Sequence, residues 1–231
     1  MIFLPCRYLA GLVFAFVMLV NANGQSEQHA TSSWNERVPE FVLTDGTVLE
    51  GLKRLSSEQK GFAFGFENVL RAKFSDPPVI DVRFSLRLKN KSVREILDAL
   101  CEADHRYAWS AGDSFVNVYP LASVDDSHYL PNRKLAKLEI RNITDVEQGL
   151  LAIAQQLPSP AEQVAHVQLG GDASYPSVPW STSFENLTVR EAVNLLTTHM
   201  GVRACWIFGG SLDFRSFAFF RWGFHSEAQS D

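Results

Sequence analysis

Apolar and polar residues alternate along this chain in two rhythms that take turns. Phe84, Leu86 and Leu88 alternate with Arg83, Ser85, Arg87 and Lys89, a period of two that predicts a strand with one buried and one cationic face. Immediately afterwards Val93, Leu97 and Leu100 recur at helical spacing, which places them on one helix face. The switch falls at Ser92-Val93-Arg94-Glu95, a capping box. Its hydroxyl accepts from the backbone N–H three residues on, and the Glu95 carboxylate reaches back to the cap's own N–H. The same phrase stands at Thr47 to Glu50 and at Thr188 to Glu191, each followed by an apolar row: Val48, Leu52 and Leu55, then Val189, Val193 and Leu196. A fourth copy is ambiguous, because Thr144 with Glu147 and Asp145 with Gln148 are both legal boxes. Only Asp145 puts Val146, Leu150 and Ile153 at the shared offsets, so the cap is assigned to Asp145 and its partner to Gln148.

Strands fill the intervals. Short ones are expected at 41–43, at Phe62, Phe64 and Phe66, at 107–110 and 115–119 as a hairpin, at Leu138 and Ile140, at 164–169, at 183–184, at 202–208 and at 212–220. Cap positions 47 and 145 differ by 98, and 92 and 188 by 96. The fold class is therefore α+β: two tandem small modules, each a strand-helix-strand followed by a strand-helix-strand-strand, with helices packed on small mixed sheets. The expected boundaries are a signal peptide at 1–24, a flexible leader at 25–39, the first module at 40–120, a Pro-, Ser- and Asp-bearing linker at 121–134 and the second module at 135–222.

Composition adds the compartment. The chain has 231 residues and a formal charge of −5, without long charge blocks, which argues against nucleic acid as a partner. Residues 1–7 carry only Arg7, residues 8–20 are apolar, and Ala22-Asn23-Gly24 precedes Gln25. That layout is a cleavable secretory signal cut after Gly24, too short in its apolar run for a membrane anchor. A periplasmic or secreted protein follows, with no transmembrane anchor after cleavage. Cys101 and Cys205 remain, and in an oxidising compartment they leave two readings: a disulfide, or two small buried apolar residues.

The stretch from Phe84 to Tyr119, with Ser92-Val93-Arg94-Glu95-Ile96-Leu97-Asp98-Ala99-Leu100 and then Tyr107-Ala108-Trp109, resembles the short N-terminal domain of secretins and TonB-dependent outer-membrane receptors. Thr188-Val189-Arg190-Glu191-Ala192-Val193-Asn194-Leu195-Leu196 echoes it. In those proteins a secretin core, or a plug and barrel, follows; this chain runs to Asp231 without one. What the resemblance implies is fold, a periplasmic location and contact with other envelope proteins.

Candidate chemistry is sparse. Three Asn-x-Ser/Thr sequons, at Asn90, Asn142 and Asn186, coincide with the turns that lead into helix caps, and helix geometry alone accounts for them. Six histidines lie in unrelated elements without metal-ligand spacing, no cofactor motif occurs, and no catalytic residue is assigned. Asp104-His105 suits a solvated helix end. Phe220, Trp222 and Phe224 alternate along the last strand, and read either as core or as a patch for a partner. Two functions stay open. One is a non-enzymatic docking or adaptor protein for envelope proteins. The other is a small-molecule or polysaccharide-binding protein or hydrolase, with Trp109, Trp206 and Trp222 lining a cleft between the modules.

Overall fold

The computed structural model describes residues 34–59, 63–73, 75–112, 115–157, 166–171, 179–199, 204–211 and 215–221. They form an α+β fold of four helices and ten strands: β1 (Arg37–Gly46), α1 (Val48–Glu58), β2 (Ala63–Glu67), β3 (Phe84–Ser92), α2 (Val93–Ala103), β4 (Tyr107–Ala111), β5 (Phe115–Pro120), β6 (Lys134–Ile143), α3 (Val146–Gln155), β7 (His166–Gly171), β8 (Trp180–Thr188), α4 (Val189–His199), β9 (Ala204–Gly210) and β10 (Arg215–Arg221).

Every helix starts where the capping phrase puts it. Thr47, Ser92 and Thr188 accept from the N–H groups of Glu50, Glu95 and Glu191, whose carboxylates accept the caps' own N–H at 2.8, 2.8 and 2.7 Å. Asp145 accepts from Gln148 at 2.8 Å, but the Gln148 amide oxygen takes the N–H of Thr144 rather than that of Asp145. The third box is therefore staggered by one residue. Asp45, Asn90, Asn142 and Asn186 hold φ of 46, 52, 51 and 58° just before these caps. Asn and Asp tolerate that left-handed turn better than other side-chain-bearing residues, which is the local reason for the three sequons.

Long strands pair first within each half. β1 pairs with β3, and β6 with β8, both antiparallel. The remaining strands form one mixed six-stranded sheet in the order β4-β5-β2-β9-β10-β7. Alternate residues divide between its two faces. Phe64, Phe66, Val116, Val118, Tyr107 and Cys205 join the core built on α1 and α2, whereas Ala63, Phe115, Trp206, Phe208 and Phe217 join the core built on α3 and α4. The first pair of helices thus covers one face, the second pair the other.

This shared sheet differs from the expectation of two bodies on a tether. Between residues 121 and 134 run two short 3-10 turns, Leu121–Ser123 and Leu130–Asn132, and Leu130 is 1% exposed in the second core. The start of the ordered chain also differs: Trp34 and Val38 are buried in the first core, so the leader expected at 25–39 is already packed at its end. Residues 1–33, which include the stretch expected to be a signal peptide, lie outside the described residues.

The plan repeats contact by contact. A Cβ on Gly51 of α1 would press into Leu100 of α2, and one on Gly149 of α3 into Leu196 of α4, so each helix pair crosses over a glycine. Trp109 Nε1 donates to Asp98 at 2.8 Å, and Trp206 Nε1 to Asn194 at 2.8 Å. The first helical N–H of α2 donates to Glu36 O, that of α4 to Arg133 O.

Candidate interaction site

The halves meet along one line of strand pairing, β2 against β9, parallel, with Gly65 opposite Trp206 and Glu67 opposite Phe208. Trp206 is fully buried there, its indole lying over Gly65 so closely that any Cβ at that position would overlap Cε2 and Cζ2. Two residues on, the buried Glu67 carboxylate accepts both Nε and Nη2 of Arg190, at 2.5 and 3.0 Å. Arg190 comes from the first turn of α4 in the other half, and its guanidinium lies 4.8 Å from the Tyr119 ring centroid. A forked pair of this kind is geometrically specific, and removing either partner leaves a buried charge uncompensated. Burial pushes the Glu67 carboxyl up from its ordinary range, and Arg190 opposes that rise. The neighbouring Tyr129 hydroxyl is buried without an acceptor in hydrogen-bond geometry; burial, and then the Glu67 charge, hold its pKa above the ordinary phenol value.

The first half carries the same second-half furniture at the opposite end of the sheet. In the hairpins, Trp109 pairs with Val118 as Trp206 pairs with Phe219, so β4 corresponds to β9. Arg94 occupies in α2 the place of Arg190 in α4, and its guanidinium lies 5.4 Å from the Trp109 ring centroid. Here the surroundings change. β4 is the end strand of the sheet, Trp109 is half-buried and Arg94 exposed, and no ion pair holds Arg94 among the described residues.

Other expected sites resolve individually. Cys101 and Cys205 are not joined in a disulfide; both belong with the first core, and burial with the Asp98 and Asp104 charges pushes the Cys101 thiol up to about 12. Asp104 is not solvated; it is 4% exposed and clamped by Arg106 at 2.7 and 2.8 Å. Phe220 has a described backbone, bonded in register to Cys205 and Gly170, while Trp222 and Phe224 lie outside the described residues. Trp109 and Trp206 belong to different cores on opposite faces, so they do not line a common cleft. A hollow of about 230 Å³ is bordered by Asn68, Arg71, Val79, Asp81 and Tyr107, below the usual size of a ligand pocket. Among the described residues no group of three metal-ligating side chains converges and no helix is long and apolar enough to cross a membrane.

The seam itself was missed at the sequence level. Its signal was there: Gly65 interrupts an aromatic strand pattern, and an interior glycine in a strand marks a close approach. Compared with known proteins, the chain matches no family model, no curated protein and no solved structure.

Proposed function

We propose that this is a non-enzymatic docking protein of the bacterial envelope, exported to the periplasm by its N-terminal signal and working through contacts with other envelope proteins in transport, secretion or signalling. The observation that carries this reading is the β4 edge, which no described strand covers: among the described residues the same tryptophan-and-arginine strand surface occurs twice and is covered once. The polar groups at the covered copy, Glu67 and Arg190, satisfy each other, so they hold structure together and leave no free acid or base for a reaction. The plan of two strand-helix-strand pieces per half supports the likeness to the short N-terminal domain of secretins and TonB-dependent receptors, in which each half of this chain is one such module. The sequence of residues 1–24 supports export.

Two measurements test it. N-terminal sequencing of the protein recovered from the periplasm is expected to begin at Gln25. Affinity capture from envelope extract under mild cross-linking is expected to recover a defined protein partner; recovery of nothing above the level of an unrelated exported control counts against docking.

A further inference from the structure

Resting on the docking reading, we propose that the β4 edge accepts one extended strand of a different protein, added parallel to β4, with glycine or another minimal residue opposite Trp109 and a carboxylate two residues later for Arg94. The template is the seam inside this chain. There β2 adds parallel to β9, Gly65 faces Trp206, and Glu67 reaches Arg190. β4 presents the same three elements in the same order: a tryptophan tied to its helix by an Asx side chain, an arginine in the first turn of that helix, and a strand edge unpaired among the described residues. A parallel incoming strand gains backbone hydrogen bonds along the edge, which supply affinity, while the two facing positions supply specificity.

The register also says which strand does not fit. β7 stands to β10 as β2 stands to β5: Leu169 pairs with Phe219 as Phe66 pairs with Val118. Gln168 and Gly170 therefore hold the register positions of Gly65 and Glu67. A second copy of this chain, offering its β7 end to β4, would bring a long side chain to the position that needs none and no carboxylate for Arg94. The seam is heterologous, a pairing of unlike edges that would propagate without closing, and these two substitutions stop it. The occupant is accordingly an acidic, glycine-bearing strand from another protein.

One difference between the copies tunes the surface. Asn194 in the covered copy is neutral, whereas Asp98 in the open copy adds a negative charge next to where the incoming carboxylate would lie. Asp98→Asn makes the open edge more like the covered one.

The probe is a fluorescently labelled peptide with the sequence of residues 62–68, followed by anisotropy against the full mature protein. Saturable binding is expected, weakened about tenfold or more by Arg94→Glu and by Trp109→Ala, and strengthened by Asp98→Asn. A peptide carrying Gly65→Gln should not bind, and one carrying Glu67→Arg should prefer the Arg94→Glu protein. Absence of saturable binding at millimolar peptide, or binding indifferent to Arg94 and Trp109, overturns the proposal. So does concentration-dependent self-association abolished by Arg94→Glu, which would make a second copy the occupant. Capture of an envelope partner that the Arg94→Glu protein retains in full sinks this surface while leaving docking intact; capture of nothing removes the docking reading itself.

Discussion

The β2–β9 seam and the outer edge of β4 are two outcomes for one surface. Each offers a tryptophan hydrogen-bonded to its own helix and an arginine from that helix's first turn. At the seam a glycine and a glutamate complete the set, and tryptophan, glutamate and strand edge vanish from solvent together. At β4 Trp109 is half-buried, Arg94 is exposed, and no described strand pairs with the outer edge. What separates the buried copy from the outer one is one neighbouring strand of the right sequence and, within the surface itself, Asp98 where the buried copy has Asn194.

The comparison breaks most readily at the tryptophans. Trp206→Ala should destabilise the protein by about 3–5 kcal/mol, as for other buried aromatic deletions. Trp109→Ala should cost nearer 1 kcal/mol, because its ring is only partly removed from water. Chemical denaturation of the two variants measures both, and equal losses would mean that the two sites are not covered and open forms of one design. Next come the charges. Glu67→Ala leaves Arg190 buried without its partner, and a loss of about 3–5 kcal/mol is expected; Arg94→Gln on the exposed copy should fall within about 0.5 kcal/mol of the parent.

A pH titration sharpens a different pair of features. Lys91 and the Ser92 backbone N–H hold the Glu95 carboxyl down at about 2. Its folded value lies below its unfolded value of 4.5, so its stabilisation is present above that unfolded value and drains away as pH falls from there toward about 2. Glu95→Gln should lose that part of the acid sensitivity while leaving the neutral-pH fold intact, read as a shallower fall of melting temperature across that window.

The smallest effect concerns the two helix crossings. Gly51→Ala and Gly149→Ala each gain helix propensity of about 1 kcal/mol and each push a buried leucine, Leu100 or Leu196, aside. The two substitutions should give stability changes within about 0.5 kcal/mol of each other. A larger spread would show that the crossings are not equivalent.

Much of this is legible in the sequence, for a definite reason. Helix starts are local: a cap oxygen and a Glu or Gln three residues on lock a turn from within the segment itself, and Thr47, Ser92, Asp145 and Thr188 all cap their helices. The alternation of Phe84, Leu86 and Leu88 gave β3 its inward side in the same way, although all three are only half-buried against the first core. Sheet order was not legible, because the β2–β9 pairing joins residues far apart in sequence, and its one local trace, Gly65, was masked by the aromatics beside it. Cys205 and Trp206 show the same limit. Adjacent in sequence, they enter cores on opposite faces of the sheet, and no local pattern tells which face belongs to which half.

The most direct measurement is residue-resolved amide hydrogen exchange of the free protein, comparing β9 with β4. If the two strands present the same surface, once covered and once open, the β9 amides should exchange only with global unfolding, whereas the outward amides of β4 should exchange faster by orders of magnitude. Protection of β4 as complete as that of β9 in the free protein would mean that its edge is already covered, and the open copy would not exist.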